Sequence, residues 1–187
     1  MTQNKFTAKK LAFAGVALAL AFALSYVRLF RMPTGGSVTL ISMFFVSIVG
    51  FWYGPVVGLT AAVAYAFLQF IQNPEFVSVW QVLFDYVLAF GALGLSGFFH
   101  NKKNGLVTGY LVSIFFRFVF TTLASILFWS EYLKLPEWIG NPTLATIVAA
   151  MIYNAGYIFV EAAITVVFII IPPVWKALMK SKQFANN

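Results

Sequence analysis

Long runs of apolar residues, broken only by short polar segments, dominate the pattern of the chain. Uninterrupted stretches cover about 10–29, 38–53, 55–71, 79–99, 106–128 and 143–171. A helix that crosses a bilayer needs about 20 mostly apolar residues, so the pattern predicts six transmembrane helices. The second and third stretches are short and divided only by Tyr53-Gly54-Pro55. They read as two helices, because Gly-Pro is a strong breaker and the joined run is too long for one crossing. The first stretch follows charged residues, but its apolar run is longer than a signal-peptide core and shows no small-residue cleavage site. It is therefore expected to be a retained first span. The predicted fold is an all-α integral membrane protein, with six transmembrane helices in a single bundle over residues 1–187.

Composition sharpens this picture. Of the 187 residues, 61% are apolar, 19% aromatic and 9% charged, and the mean hydropathy is +0.90. A soluble domain carries roughly 25% charged residues. The same balance excludes disorder, which needs low hydrophobicity and high charge. With no cysteine and a single histidine, His100, the sequence offers no thiolate or imidazole metal cluster and no cysteine nucleophile. No metal, cofactor or catalytic residue is expected, and a membrane enzyme is disfavoured because the only histidine lies in a loop, two residues before Lys102. The absence of a Walker motif means that any ATP dependence must come from partners.

The net charge of +7 does not point to nucleic acid, since the basic residues flank apolar spans. With the N-terminus inside, Lys5, Lys9, Lys10, Lys102, Lys103, Lys176, Lys180 and Lys182 fall on the cytoplasmic side. Arg28, Arg31 and Lys134 fall outside. The excess of inner lysines predicts that both termini are cytoplasmic.

Polar residues inside the spans are costly and mark the chemistry. Arg117 and Glu161 fall at similar depth, about 17 and 15 Å from the cytoplasmic ends of their helices at the ~1.5 Å rise per residue. An ion pair between them is expected, either fixing helix packing or serving coupling. Asp85 lies in the outer half with no basic residue level with it, so either a ligand or other helices must satisfy it. Tyr86 follows Asp85, and Gln81 sits one turn before it on the same face. Trp129 closes the fifth span, and Tyr153-Asn154 lies within the sixth, where a buried amide demands partners. Together these residues could line an outward-facing pocket for a flat, cationic heteroaromatic molecule, held by cation–π contact and charge-assisted hydrogen bonds. Glu131, Tyr132, Pro136 and Trp138 are candidates for a lid over it, or for a plain surface loop. In the first span, Ala17 and Ala21 share one face and Ala19 and Ala23 another. Small residues so spaced admit a close helix, which could belong to this chain or to a separate membrane subunit. Pro172-Pro173 ends the last span, and 175–182 reads as an interfacial tail anchored by Trp175.

Several segments resemble the thiamine-specific substrate-binding subunits (S-components) of energy-coupling factor, or ECF, vitamin transporters. They are Met32-Pro33-Thr34-Gly35-Gly36-Ser37-Val38, Gly54-Pro55-Val56-Val57-Gly58-Leu59-Thr60, Gln81-Val82-Leu83-Phe84-Asp85-Tyr86-Val87-Leu88-Ala89-Phe90, Gly94-Leu95-Ser96-Gly97 and Tyr153-Asn154-Ala155-Gly156-Tyr157. Their order and the six-span layout extend the similarity over nearly the whole chain. The resemblance implies a high-affinity thiamine binder in the bacterial plasma membrane that performs no covalent chemistry. It also implies docking, through the alanine-rich first helix, on a transmembrane coupling subunit carrying two ATPase subunits. The family's pocket carboxylate falls on Asp85, in place of the usual Glu, with the tyrosine at Tyr86, the stacking tryptophan at Trp129 and the asparagine at Asn154. Two positions depart from the family pattern: a ligand-touching histidine becomes Thr121, and a tyrosine of the sixth helix becomes Ala149. A thiamine precursor is therefore an alternative ligand. A stand-alone secondary transporter is the competing reading, weakened by the lack of an internal repeat.

Overall fold

The computed structural model describes residues 7–33 and 35–186; Lys5 of the inner-charge count and Thr34 of the first motif lie outside the described residues. Helix α1 (Ala8–Ser25) leads into a two-stranded hairpin, β1 (Arg28–Arg31) and β2 (Ser37–Thr39). Then come α2 (Ser42–Tyr53) and α3 (Pro55–Gln72), α4 (Val79–Phe99), α5 (Gly105–Phe128), α6 (Pro142–Ile170) and α7 (Pro172–Asn186). Helix starts follow local chemistry. The side chains of Thr7, Ser78 and Asn141 each accept a backbone N–H from the first turn of α1, α4 and α6, as N-cap residues do. Gly54, with φ of +87°, makes the turn between α2 and α3 that a side chain would strain, and Pro55 opens α3 at the position where a missing N–H is harmless.

Five helices, α1, α3, α4, α5 and α6, are long and apolar enough to cross a membrane. Helix α2, the second of the six expected spans, is apolar but only 12 residues long, shorter than the 38–53 stretch that predicts it. The predicted first and second spans overlap the hairpin at 28–29 and 38–39: Arg28 pairs with Thr39, Phe30 with Val38 and Arg31 with Ser37, in antiparallel register with a bulge between Arg28 and Phe30. Leu29 and Phe30 continue the apolar run of α1, so hydropathy alone does not separate strand from helix there.

Helix α2 is the centre of the bundle, with eleven of its twelve residues buried. It is gripped by α3 and by the second half of α4 through backbone-to-backbone contacts. A Cβ on Gly58 would lie 2.6 Å from Gly50 Cα, and one on Gly94 would lie 2.6 Å from the Gly58 carbonyl oxygen. Small residues let helices meet this closely, which is how membrane helices gain packing energy without a hydrophobic drive. The last eight residues of α4, Ala92–Phe99, are wound as a 3₁₀ helix. Ser96 Oγ donates to the Ser47 carbonyl at 2.6 Å, and Ser113 Oγ donates to the Leu93 carbonyl at 3.1 Å.

At the other end of the molecule from the hairpin, α7 folds back against α2 and the end of α4. Trp175, Leu178 and Met179 pack on the core. Trp52 Nε1 donates to Ser181 Oγ at 3.2 Å, and Asn186 Nδ2 donates to the Trp52 carbonyl at 3.1 Å. Lys182 donates to the His100 carbonyl and lies 4.0 Å from the centre of the Phe51 ring. The tail is thus a helix fixed to the bundle through Trp175, Leu178 and Met179. Burial, and then the Lys182 ammonium, hold the His100 imidazole below its ordinary pKa.

Candidate substrate cavity

A cavity of about 380 Å³ opens where the hairpin meets the ends of α1, α3 and α5 and the start of α4, and it reaches inward to Arg117 and Glu161. Its walls come from every part of the bundle, so the site exists only in the folded chain.

Asp85 stands on a wide π turn, Leu83–Leu88, inside α4; such turns recur at functional sites. Its Oδ2 accepts from Gln81 Nε2 at 2.9 Å and from Trp129 Nε1 at 2.7 Å. No described residue donates to Oδ1, and the residue borders the cavity. The carboxylate is therefore aimed by two donors and keeps acceptor capacity for a third group. Trp129 borders the cavity too, so its indole is turned inward. Gln81 corrects the expectation made for it: it is fully buried, is absent from the cavity wall, and accepts from the Val77 backbone N–H at 3.2 Å. Its role is to position Asp85.

Tyr86, Thr121, Tyr153 and Asn154 all border the cavity, but most of their polar atoms are engaged. Tyr86 OH donates to the Asn73 carbonyl at 2.7 Å and accepts from the Glu75 N–H at 3.3 Å, which pins the α3–α4 connection. Thr121 Oγ1 donates to the Arg117 carbonyl at 2.7 Å. Asn154 Nδ2 donates to Ser125 Oγ at 2.8 Å and to the Ala150 carbonyl at 2.9 Å, while its Oδ1 accepts from Tyr157 OH at 3.0 Å. Tyr153 OH accepts from the Gly36 N–H at 3.3 Å, tying the hairpin tip to α6. These residues offer the cavity aromatic faces more than free hydrogen-bonding groups.

The expected Arg117–Glu161 ion pair does not form among the described residues. Both side chains border the cavity. The Glu161 carboxylate, however, is taken by the β2–α2 junction, accepting from the Thr39 N–H at 2.8 Å, Thr39 Oγ1 at 2.7 Å and the Met43 N–H at 3.2 Å. The Arg117 guanidinium instead stacks 3.9 Å from the centre of the Phe90 ring, with Nε and Nη1 buried and without a hydrogen-bond partner. Depth along a helix is legible in sequence, but the junction that intervenes is not.

Of the candidate lid, Tyr132 borders the cavity, joined by its neighbour Leu133, whereas Glu131, Pro136 and Trp138 do not, and Trp138 is exposed. The larger cover is the hairpin, from which Arg28, Pro33, Gly35, Gly36, Ser37 and Thr39 face the cavity. That cover was not foreseen; its signal was the Gly35-Gly36 pair behind Pro33, a turn composition. Also unforeseen is a polar cluster on the α1–α3 side, where Gln69 Nε2 donates to Ser25 Oγ at 3.2 Å and to Gln72 Oε1 at 3.0 Å.

The four alanines singled out in α1 divide between two faces. Ala17 and Ala21 are buried inside this chain, Ala21 with its carbonyl accepting from Tyr65 OH at 3.3 Å, so they do not belong to a docking surface. Ala19 and Ala23 are exposed on the outer face.

The family model described as thiamine transporter protein matches residues 11–181. The thiamine transporter ThiT of Bacillus subtilis is 28% identical over 147 residues, an alignment covering 67% of this chain and 69% of that protein. A solved structure of ThiT from Listeria monocytogenes superposes with a TM-score of 0.64 at 19% identity, covering 88% of this chain and 96% of that one; at that identity the likeness speaks for the fold.

Proposed function

The chain belongs to the thiamine transporter protein family, and on that premise we propose that its cavity binds thiamine. The chain is a multi-pass membrane protein by the same family match and its apolar helices. The observation that carries the proposal is Asp85, whose carboxylate is aimed by Gln81 and Trp129 at the wall of an aromatic-lined cavity. Thiamine is a flat pyrimidine joined to a cationic thiazolium. An anionic acceptor beside an indole face suits such a cation through charge-assisted bonding and ring contact. Transport by this protein then takes the form of an S-component: it binds thiamine tightly from outside, performs no covalent chemistry, and passes its cargo inward while docked on an ECF coupling subunit with two ATPases. Ala19 and Ala23, with Gly15 between open space and the same outer face, are the surface offered to that subunit. In this reading α2 is the sixth, shortened crossing of one bundle, the hairpin faces outside, and both termini lie in the cytoplasm of a bacterial plasma membrane.

The test is a titration of the detergent-purified protein, following tryptophan fluorescence, with thiamine and its separate pyrimidine and thiazole precursors. Trp129 borders the cavity, so saturable quenching by thiamine is expected. Quenching by a precursor alone would keep the site and change the ligand, in line with Thr121 and Ala149 replacing larger family residues. No quenching by any of them would sink the proposal.

A further inference from the structure

The hairpin cover raises the question of what holds it down. Two short strands are marginal on their own in water, so closure depends on anchors elsewhere in the fold. The tip has one, the 3.3 Å bond from the Gly36 N–H to Tyr153 OH, with Gly36 lying flat against the Tyr157 ring. The base has a stronger one at the chain reversal between β2 and α2.

That reversal is strained. Ile41, immediately before α2, has φ +50° and ψ 24°, in the left-handed region; a β-branched residue there is an outlier. Such a conformation persists only where its surroundings over-determine it. The reversal also leaves two backbone donors, Thr39 N–H and Met43 N–H, directed at one buried point from opposite sides. The Glu161 side chain, only 2% exposed on α6, fills that point. Oε2 takes the Thr39 N–H and Oγ1–H, and Oε1 takes the Met43 N–H, with Ser42 Oγ 3.3 Å away. Thr39 Oγ1 and Ser42 Oγ are themselves 2.6 Å apart. Two hydroxyl protons serve these three contacts, so the tight arrangement is a relay in which Ser42 donates to Thr39 and Thr39 donates to the carboxylate. Met43 lies in the first turn of α2, where the helix end also favours negative charge. One carboxylate thus satisfies both sides of a strained turn, and Thr39 and Ser42 border the cavity beside it.

We infer that Glu161 is a positioning residue that clamps the hairpin shut over the ligand, its carboxylate holding the turn at Ile41 in its strained form. The inference rests on the reading of the cavity as a thiamine site. It assigns Glu161 to the rate at which ligand escapes rather than to contact with the ligand. Glu161→Gln keeps the shape but presents an amide NH₂ to one of the backbone donors. Loss of charge-assisted bonds of this type makes thiamine dissociation roughly tenfold to hundredfold faster, and the Thr39 and Met43 amides lose hydrogen-exchange protection. Adding Ile41→Gly to Glu161→Gln restores slow dissociation, because glycine adopts the left-handed turn without the steric penalty. A residue that merely packed α6 would show no such rescue.

The experiment is stopped-flow tryptophan fluorescence of thiamine release, with hydrogen exchange over residues 37–43, on the full chain in detergent. Wild-type release from Glu161→Gln, or no recovery on adding Ile41→Gly, overturns the inference. If Glu161→Gln fails to fold, Thr39→Val removes one donor to the carboxylate and is expected to speed release to a smaller degree; an unchanged rate there overturns it as well. If the wild-type protein binds no thiamine, the reading of the cavity fails. The exchange of Thr39 and Met43 in Glu161→Gln then still decides whether the clamp exists.

Discussion

Replacing Asp85 by asparagine separates the charge of the site from its shape. Oδ2 of Asp85 already accepts from Gln81 and Trp129. An asparagine oxygen can take over both bonds, which turns its NH₂ toward the cavity. The wall then presents a neutral donor where an anionic acceptor stood, while the tie between Gln81 and Trp129 survives. A unit charge pair at about 4 Å and an effective dielectric near 20 is worth about 4 kcal/mol. A charge-assisted hydrogen bond alone is worth about 1.5–3 kcal/mol. A loss of about 2–4 kcal/mol corresponds to roughly 30- to 700-fold in Kd, at ~1.4 kcal/mol per decade. The assay is the thiamine fluorescence titration, run beside a thermal melt of the same preparation. Weakened binding at unchanged melting is the expected result. An affinity within about threefold of wild type would refute the reasoning, leaving Asp85 as a structural tie between α4 and the end of α5. Trp129→Phe is the companion variant, titrated by calorimetry because it removes the fluorescent reporter: it deletes the donor to Oδ2 and keeps the charge, so it should weaken binding less than Asp85→Asn.

Two further outcomes follow from the packing. Gly94→Ala places a methyl 2.6 Å from the Gly58 carbonyl oxygen and from Leu59 Cα, neither of which can swing aside. Overpacking of that kind costs about 1–3 kcal/mol, outweighing the ~1 kcal/mol helix gain of Gly to Ala, and a lowered melting temperature in detergent checks it. Gly15→Ala, with nothing within 4 Å of the new methyl, should leave that temperature level or raise it. Acidification should loosen α7. The His100 pKa is held down in the folded state by burial and by Lys182, so the unfolded chain binds the proton more readily. Stability is therefore lost as pH falls below about 6.5 and stops falling once the folded imidazole is itself protonated. Faster exchange of the 172–186 amides at pH 5.5 than at 7.5, corrected for intrinsic rates, is the result to look for.

Hydropathy located α3, α5 and α6 to within a residue or two, because their ends carry breakers: Gly54-Pro55, the polar 100–104 loop, and Asn141-Pro142 against Pro172. It missed the hairpin because Leu29 and Phe30 are as apolar as the helix before them. Helical spacing placed Gln81 on the face of Asp85, and the two do bond, but spacing does not say that Gln81 points at its neighbour and away from the cavity. The same limit applies to the alanines of α1. A repeat of four residues defines two faces, and only the rest of the bundle decides that Ala17 and Ala21 turn inward. Equal depth of Arg117 and Glu161 was legible in residue counts. The backbone donors that came to occupy Glu161 belong to a turn with no hydropathic signature, so the missing pair was not.

The shortness of α2 has a consequence for where polar atoms can sit. Twelve residues rise only about 18 Å, against a hydrocarbon layer of about 30 Å. Because nearly every residue of α2 is buried, its ends never meet lipid. Irregular backbone at that depth is tolerated where protein encloses it. The bundle behaves like a well shaft, with long outer helices as its casing and the short central helix as its raised floor. The charged and amide groups of Glu161, Arg117 and Asn154 stand above that floor around the cavity, with Glu161 and Asn154 buried by the surrounding helices.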